Sequence, residues 1–207
     1  MKALVIGATG ATGKELVGKL LDDPDFHEIH AFSRRNLPAT HPKLTVHVID
    51  FEKPEDWRYL VKGDVAFSCL GTTLKDAGSK ANQWKVDHDY QLDFAKAAKE
   101  NQVEDYILVS AYGAHPKSKL FYSRMKGALE EAVKGLHFNK ITIFQPGMLE
   151  RKESERTGEV LGGKIIKFVN QLGLLTSHKP LPTEVLAQAM INAAKIKSNG
   201  YSKIKLG

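Results

Sequence analysis

Residues 1–14 read MKALVIGATGATGK, and this stretch decides the fold. The apolar run at 3–6 is too short for a helix and ends in two β-branched residues, which indicates a buried strand. Three glycines follow, and residues 12–21 then place apolar side chains at helical spacing before a stop rich in aspartate. A strand, a glycine turn and a helix in this order are typical of a dinucleotide-binding loop.

Each of the three glycines has a physical task in such a loop. Gly7 permits the sharp turn, Gly10 removes a Cβ where a pyrophosphate approaches the main chain, and Gly13 lets the helix pack close to the strand. The N–H groups of the helix N-terminus then face the phosphates. The alternative is a tight turn that binds nothing, since the spacing GxxGxxG departs from the commoner GxGxxG. The other loop residues predicted to contact the cofactor are Thr9, Ala11 and Thr12.

The residues after the second predicted strand indicate which cofactor is bound. NAD-binding proteins usually carry a carboxylate about 20 residues after the glycines, where it binds the ribose 2′-hydroxyl. Here Ser33, Arg34 and Arg35 occupy that place, and guanidinium groups suit the oxygens of a 2′-phosphate. The sequence therefore predicts NADP(H), with a solvent-facing arginine pair as the alternative.

Two further strand ends supply candidate cofactor contacts. Asp50 and Phe51 follow the third strand, where the adenine ring is expected, although Asp50 is also suited to cap a helix after Pro54. After the fourth strand, a glycine would let the cofactor approach, and threonine hydroxyls would bind its ribose or phosphates. Cys69 is expected to be a small buried residue, since no histidine partner for a nucleophile is apparent nearby. The predicted contacts from this strand end are Cys69, Leu70, Gly71, Thr72 and Thr73.

Predicted strands and helices alternate along most of the chain. This alternation requires a parallel sheet with right-handed crossovers, so the predicted fold is α/β, a single Rossmann-like doubly wound domain spanning 1–207. Residues 148–182 are expected to form a short substrate-side lid, with an amphipathic helix at 160–172 that closes over the site or, alternatively, contacts an acidic membrane surface. Strands are predicted at 3–6, 28–32, 44–49, 64–69, 103–109, 140–144 and 204–206, and helices at 12–21, 82–99, 119–133 and 182–194.

Composition narrows the possible classes of protein. The net charge of +6 and the pI near 9.2 come mainly from lysines spread along the chain, which favours a solvated surface over nucleic-acid binding. A single cysteine forms no internal disulfide, and no secretory leader is apparent, so a cytoplasmic location is predicted. No apolar stretch is long enough to span a membrane, and no histidine or cysteine spacing indicates a metal site.

A serine, a tyrosine and a lysine form the predicted catalytic group. Ser110 ends the fifth strand, and Tyr122 and Lys126 follow at i and i+4 in YSRMK, on one face of the next helix. A neighbouring ammonium stabilises a phenolate, so such a tyrosine is suited to act as a general acid or base. For reduction of a carbonyl, NADPH would donate hydride to the carbon while Tyr122 protonates the oxygen and Ser110 binds it. Lys126 would also bind the nicotinamide ribose.

With these motifs in order, the chain resembles the short-chain dehydrogenase/reductase superfamily in its compact atypical branch, and more narrowly the HIV Tat-interacting protein-like oxidoreductases. The resemblance implies a monomer or weak homodimer that binds NADPH and uses the serine, tyrosine and lysine in the roles given above. It also implies that Pro146 and Gly147, after Gln145, lie near the nicotinamide, whereas the asparagine that completes a tetrad in many members has no clear counterpart. The narrower resemblance is carried by SCLGTT (68–73), VDHDY (86–90), LVSAYGA (108–114), FYSRMKGALEEAV (121–133), FQPGMLE (144–150) and SHKPLPTEVLAQAM (177–190).

Three kinds of function are consistent with these residues. The leading prediction is an NADPH-dependent oxidoreductase that reduces a small carbonyl compound such as an aldehyde, a ketone or a quinone. The second is an NADPH-binding regulator that engages a protein partner with little turnover. The third is an NADPH-dependent flavin reductase or a nucleotide-sugar epimerase; the flavin route needs no YxxxK pair, and an epimerase normally has a longer substrate domain.

Overall fold

The computed structural model describes residues 1–150 and 180–206 of the 207-residue chain. Pro54–Asp56 and Arg58–Leu60 form 3₁₀ turns before the fourth strand. In chain order the strands are β1 (Lys2–Ile6), β2 (Glu28–Ser33), β3 (Leu44–Val48), β4 (Val65–Ser68), β5 (Asp105–Val109), β6 (Lys140–Pro146), β7 (Leu149–Glu150), β8 (Leu181–Pro182) and β9 (Gly200–Leu206). The helices are α1 (Ala11–Asp22), α2 (Leu74–Ala77), α3 (Lys80–Trp84), α4 (Tyr90–Glu100), α5 (Phe121–Lys134) and α6 (Thr183–Lys195).

The main sheet is parallel throughout and is covered on both faces. Within the described residues its seven strands follow the order β3-β2-β1-β4-β5-β6-β9. β4 and β6 are buried along their whole length, and β1 along nearly all of it, as expected for parallel strands between two helical layers. One apolar cluster lies under α1 and α6, and a second lies under α4 and α5. The predicted α/β, Rossmann-like doubly wound fold is therefore confirmed.

The strand order places the candidate site. β1 is the third of the seven strands and has β2 on one side and β4 on the other, so the strand order reverses its direction there. In doubly wound sheets this switch point, at the carboxyl ends of the strands, is where ligands bind. The loops after β1, β2, β4, β5 and β6 all lie along that edge, and they contain the motifs that the sequence singled out.

Three predicted elements differ from the structure or lie outside it. The predicted helix at 82–99 spans 80–100 and contains a π-helical turn at Lys85–Asp89, between α3 and α4. The predicted edge strand at 204–206 is longer, because all of β9 pairs with β6. The predicted lid helix at 160–172 lies outside the described residues.

The two ends of the predicted lid segment, 148–182, lie side by side. β7 and β8 pair in parallel, and the N–H of Leu181 donates to the carbonyl of Met148 at 2.7 Å. Residues 149–150 and 181–182 therefore meet in a separate two-stranded sheet shortly after the carboxyl end of β6.

Candidate functional site

The loop after β1 has a shape that only glycine allows at two positions. Gly7 has a φ of +85°, and a Cβ built on it would lie 2.4 Å from the main-chain nitrogen of Leu70. A Cβ on Gly13 would lie 2.1 Å from the carbonyl oxygen of Gly7. Because both distances are far below van der Waals contact, β1, α1 and the end of β4 approach one another as bare main chain.

The N-terminus of α1 has neither a side-chain cap nor an acidic residue of its own. Gly10 is the N-cap and makes no side-chain cap bond, and the first turn, which Ala11 and Thr12 begin, contains no acidic residue. The main chain turns tightly here, since the N–H of Gly10 donates to the carbonyl of Gly7 at 3.0 Å and Thr9 is exposed between them. The free N–H groups and the positive end of the helix dipole favour an anion, so a diphosphate fits this cradle.

The end of β2 presents two free arginines and no carboxylate. Ser33 is buried, and its hydroxyl donates to the main-chain carbonyl of Arg35, which shapes the turn. Arg34 and Arg35 are exposed, and neither guanidinium forms a hydrogen bond or an ion pair within the described residues. The hydroxyl of Ser33 therefore serves the turn, while both guanidinium groups are available to a ligand.

The residues after β3 are engaged within the protein. The Oδ1 of Asp50 accepts a hydrogen bond from the N–H of Glu52 at 3.0 Å. The 3₁₀ turn that follows has Lys53 at its N-cap and no side-chain cap, so the alternative that Asp50 caps this helix is wrong. Phe51 is buried and stacks on Tyr90 with ring centroids 5.2 Å apart. Its ring therefore belongs to the hydrophobic core.

Two predicted contacts at the end of β4 have internal roles. Burial raises the pKa of the Cys69 thiol to about 12, so it stays protonated at neutral pH and is a poor nucleophile. Thr73 is the N-cap of α2: its hydroxyl accepts from the N–H of Asp76 at 3.2 Å and donates to the carboxylate of the same residue at 2.9 Å. The part of this loop that lies against the glycine cradle is the main chain of Cys69 and Leu70.

Asp87, which the sequence did not single out, joins this loop to the predicted catalytic lysine. Its Oδ2 accepts the N–H of Thr72 at 2.8 Å, and its Oδ1 lies 3.3 Å from the Nζ of Lys126. Gln83 supports the same loop by donating to the carbonyl of Thr72 at 3.3 Å. Asp87 lies in the π-helical turn, and such turns are frequent at functional sites. The only signal in the sequence was its place in VDHDY.

The pair formed by Asp87 and Lys126 is a buried ion pair, because only 1% and 4% of their side chains are exposed. Burial raises the pKa of Asp87, while Lys126 and the N–H of Thr72 act in the opposite direction. Both carboxylate oxygens face donors, which leaves no acceptor for a proton on either oxygen, so the carboxylate is ionised in this arrangement.

The predicted catalytic serine donates its proton inside the protein. The hydroxyl of Ser110 donates to Oε1 of Glu130, and Gln145 donates to the same oxygen at 2.8 Å. The Nζ of Lys203 lies 2.7 Å from Oε2 of Glu130. Burial favours the neutral amine of Lys203, but the Glu130 carboxylate outweighs it and raises the pKa of the lysine. Glu130 and Lys203 were not predicted, and their separation in sequence gave no signal.

Tyr122, unlike Ser110, is open to solvent. Its side chain is 43% exposed, and its hydroxyl makes no hydrogen bond within the described residues. It lies in the first turn of α5, one turn before the buried Lys126. The structure therefore pairs an accessible phenol with a buried ammonium along one helix face.

Pro146 and Gly147 are fixed by their neighbours at the carboxyl end of β6. The carbonyl of Pro146 accepts the N–H of Tyr112 at 2.9 Å, and the N–H of Gly147 donates to the carbonyl of Leu206 at 2.8 Å. These bonds continue the sheet beyond β5 and β6. The predicted nicotinamide segment is therefore held by main-chain bonds from two sides.

Several large apolar side chains at this edge of the molecule are exposed. They follow three different strands, β4, β5 and β6, and so lie after the carboxyl ends of these strands, as Tyr122 does. The group consists of Leu74, Tyr112, Leu120 and Met148, and it is called the apolar rim below.

Residues 1–150 and 180–206 contain neither a metal-binding cluster nor a membrane-spanning helix. No group of three or more histidine, cysteine, aspartate or glutamate side chains is placed to hold a metal ion. No helix in this part of the chain has both the length and the apolar character needed to cross a membrane.

The fold and the glycine cradle define an α/β domain of the dinucleotide-binding class. Comparison with known proteins then identifies the family. Residues 7–172 match the NAD(P)H-binding family, and the chain belongs to it. It is 37% identical to "Protein FMP52, mitochondrial" of Saccharomyces cerevisiae over 171 residues, which cover 80% of this chain and 73% of that protein. It is 34% identical to the protein of the same name from Chaetomium globosum over 212 residues, covering 98% of this chain and 90% of that protein.

Solved structures confirm the fold. MoeE5 in complex with UDP-glucuronic acid and NAD matches with a TM-score of 0.78 at 14% identity, covering 100% of this chain and 76% of that chain. The UDP-glucose 4-epimerase of Thermotoga maritima matches with a TM-score of 0.74 at 13% identity, covering 99% and 76%. At such low identity these matches speak for the architecture alone.

The predicted cytoplasmic location is wrong by these comparisons. The curated relatives from Saccharomyces cerevisiae, Chaetomium globosum and Eremothecium gossypii are all named mitochondrial proteins. The prediction relied on cysteine usage and the absence of a secretory leader, and both are equally compatible with a mitochondrial protein.

Proposed function

We propose that the protein is an NADP(H)-dependent oxidoreductase of the short-chain dehydrogenase/reductase type that acts on small apolar carbonyl compounds. The observation that carries the proposal is the accessible hydroxyl of Tyr122, one helical turn from the buried ammonium of Lys126. Asp87 links that ammonium to Thr72, in the loop beside the glycine cradle. The arrangement supports proton transfer next to a bound dinucleotide.

The chemistry is divided between the cofactor and the side chains. The bound cofactor supplies the hydride. Tyr122 gives its hydroxyl proton to the carbonyl oxygen of the substrate, and the Lys126 ammonium stabilises the phenolate that remains. The glycine cradle and the first turn of α1 would hold the diphosphate of the cofactor, and the segment at 145–147 would contact its nicotinamide end.

The apolar rim supports a small apolar substrate. A nucleotide sugar needs polar partners for its diphosphate and hydroxyl groups, whereas the rim offers exposed leucine, methionine and tyrosine side chains. An aldehyde, a ketone or a quinone with an apolar body suits these side chains better. The flavin reductase and epimerase alternatives therefore rank lower.

The proposed mechanism is tested with the variant Tyr122→Phe in a screen of carbonyl compounds with NADPH. Loss of a positioned proton donor typically costs a factor of about 10² to 10⁴ in rate, so kcat is expected to fall by at least about 100-fold. Tyr112→Phe is the matched control, because Tyr112 is also exposed and belongs to the rim. Full activity of Tyr122→Phe would exclude the mechanism.

The preference for NADP(H) rests on Arg34 and Arg35. The double variant Arg34→Ala/Arg35→Ala is expected to weaken NADPH binding by about 10- to 100-fold, the effect of losing one or two charge-assisted contacts, and to leave NADH binding unchanged. Calorimetric titration with both nucleotides measures this. Arg58→Ala is the control for net charge, since Arg58 pairs with Glu100 away from the cradle. Tighter binding of NADH than NADPH by the unaltered protein would refute the preference.

An NADPH-binding regulator with little turnover is the second candidate. The observation that favours it is the bond between Ser110 and Glu130, which leaves Tyr122 as the only member of the predicted triad open to a substrate. The resemblance to the HIV Tat-interacting protein-like group points the same way. Affinity capture with and without NADPH separates the two: a partner that depends on the nucleotide, without turnover in the screen, favours the regulator.

We further infer a mitochondrial location and a monomeric or weakly dimeric state. The location follows from the names of the relatives, and organelle fractionation tests it. The oligomeric state follows from the family resemblance, and light scattering across a concentration series tests it.

A further inference from the structure

Glu130 is a buried carboxylate on the same face of α5 as Tyr122 and Lys126. The three residues stand at intervals of four, so they form one stripe along the helix. Glu130 is 1% exposed and lies between the helix and the sheet. A buried charge of this kind is costly unless it is fully paired, so its partners define its role.

The partners of Glu130 come from three different strands or the loops that follow them. Ser110 follows β5, Gln145 lies near the end of β6, and Lys203 lies in β9. Two hydrogen bonds reach Oε1, and the Lys203 ammonium reaches Oε2. This single side chain therefore connects α5 to three adjacent strands of the sheet.

The hydrogen bond that Ser110 donates to Glu130 determines whether its hydroxyl can also donate to a ligand. A serine hydroxyl has one proton, and here that proton is directed at Oε1 of Glu130. The amide nitrogen of Gln145 and the ammonium of Lys203 are donors only, so Glu130 is the acceptor in all three contacts. Ser110 is left with oxygen lone pairs only, and these cannot donate to a carbonyl oxygen.

We propose that Glu130 is a positioning residue that fixes α5, and with it Tyr122, against β5, β6 and β9, and that Ser110 acts as a partner of Glu130 instead of binding the substrate oxygen. The inference rests on the proposed function, because it concerns the geometry of the same site. It assigns the substrate oxygen to Tyr122 alone.

The first experiment is the variant Ser110→Ala in the NADPH-linked carbonyl assay. A small positioning loss, about 3- to 10-fold in kcat, is expected if Ser110 acts through Glu130. Removal of a donor that binds the developing oxyanion costs about 10²- to 10³-fold, so a loss of that size would overturn the proposal. The dissociation constant for NADPH is expected to be unchanged, since the glycine cradle is untouched.

The second experiment compares Glu130→Gln with Glu131→Gln. Glu131 is the neighbouring residue and is exposed, so it controls for the loss of one negative charge on α5. Glu130→Gln places an amide where Lys203 needs a carboxylate, and kcat is expected to fall by about 10-fold or more with little change in NADPH affinity. Equal behaviour of the two variants would contradict a positioning role.

The combination Ser110→Ala/Glu130→Gln provides the decisive readout. If Ser110 works only through Glu130, the serine substitution has no further effect on kcat once Glu130 is replaced, and the two effects are non-additive. Multiplied losses would show that Ser110 acts independently, and the proposal would fail.

Urea unfolding of the same four proteins separates this inference from the proposed function. The two substitutions are expected to be non-additive in unfolding free energy as well, whether or not a substrate is found. If the effects on unfolding free energy are non-additive but no turnover is found, the proposed function is refuted and the coupling of Ser110 and Glu130 stands. If turnover is found but the effects on unfolding free energy are additive, the inference is refuted. Lys203→Met serves in place of Glu130→Gln if that variant does not fold, because it breaks the ion pair between Lys203 and Glu130 by replacing the lysine instead of the glutamate.

Discussion

The two halves of the candidate site are built by opposite means. In the cofactor half, at β1, α1 and β4, the shape comes from missing side chains, since glycines let three main-chain segments meet. In the catalytic half, around α5, the shape comes from buried charges, with Lys126 paired to Asp87 and Lys203 to Glu130. The first half is specified by neighbours in sequence and the second by residues far apart in it.

This difference predicts how each half responds to substitution. An added Cβ at Gly7 or Gly13 cannot be accommodated without a shift, because its neighbours are main-chain atoms. A charge removed from a buried pair leaves its partner desolvated, and the cost depends on what else reaches that partner. Single variants should therefore disable the first half, whereas the second half should show coupling between variants.

The largest effect is expected from Gly13→Ala, which tests the cofactor half. The new Cβ would lie 2.1 Å from the carbonyl oxygen of Gly7, so β1 and α1 must separate. We expect destabilisation of about 3 kcal/mol or more and a loss of NADPH affinity of at least about 100-fold. Urea unfolding and fluorescence titration measure the two quantities.

Gly18→Ala is the matched control for this prediction. Gly18 lies in the same helix, and nothing lies within 4 Å of an added Cβ. Alanine favours the helix by about 0.8 to 1 kcal/mol over glycine, so this variant is expected to be more stable and to bind NADPH normally. If both glycine variants behaved alike, helix propensity and not close approach would explain Gly13.

The cofactor half was predictable because its signals are local. The strand, the three glycines and the helix occupy one short stretch, and the alternation of strands and helices predicted a parallel, doubly wound sheet. Ser33, Asp50 and Thr73 are where local reasoning was incomplete. The side-chain oxygens of these residues, which were predicted to contact the cofactor, form turns and caps with residues two or three positions away.

The catalytic half was predictable only in part. The spacing of Tyr122 and Lys126 predicted that both lie on one helix face, but it did not predict that Asp87 is the buried partner of the lysine. Asp87 lies 39 positions before Lys126, and Lys203 lies 73 positions after Glu130, so no periodicity in the sequence connects them. Which charges pair in a core is decided by the packing of the strands, which a single sequence does not display.

The second prediction concerns the coupling of Asp87 and Lys126. Asp87→Asn leaves a buried ammonium without a counter-charge, and Lys126→Met leaves a buried carboxylate, so each is expected to cost about 3 to 5 kcal/mol. The double variant removes both charges and is expected to be more stable than the sum of the two losses predicts. Urea unfolding of the four proteins gives the coupling free energy.

The exposed pair of Lys96 and Asp93 is the control for this cycle. It lies on the surface of α4, where an ion pair contributes about 0 to 1 kcal/mol, so Asp93→Asn and Lys96→Met should show almost no coupling. A pH series adds a second check. Burial already raises the pKa of Asp87, and loss of Lys126 removes an opposing influence, so Lys126→Met should lose less stability as the pH falls. A coupling no larger than that of the surface pair would contradict the contrast between the halves.

The smallest effect tests whether the cofactor half also contains a pair that is distant in sequence. His30 in β2 and His47 in β3 approach to 2.8 Å between ring nitrogens, beside Glu28 and Lys2. Burial and the nearby Lys2 lower the pKa of His30 below 6.5 despite the opposing Glu28, and burial, His30 and Lys2 lower the pKa of His47. The stability from this pair is therefore present above about pH 6.5 and is lost as the pH falls through the lowered values.

The comparison of His47→Gln with His41→Gln measures this contribution. His41 is exposed, so its substitution should leave the pH dependence of unfolding unchanged. His47→Gln should reduce the loss of stability between about pH 7.5 and about pH 5.5, because one of the two groups that must be neutral is removed. Since both rings are partly exposed, the difference is expected to stay below about 1 kcal/mol. If unfolding free energy depends on pH in the same way for both variants, His30 and His47 do not form a charge-dependent pair between β2 and β3. Buried charge pairs would then distinguish the catalytic half from the cofactor half more clearly.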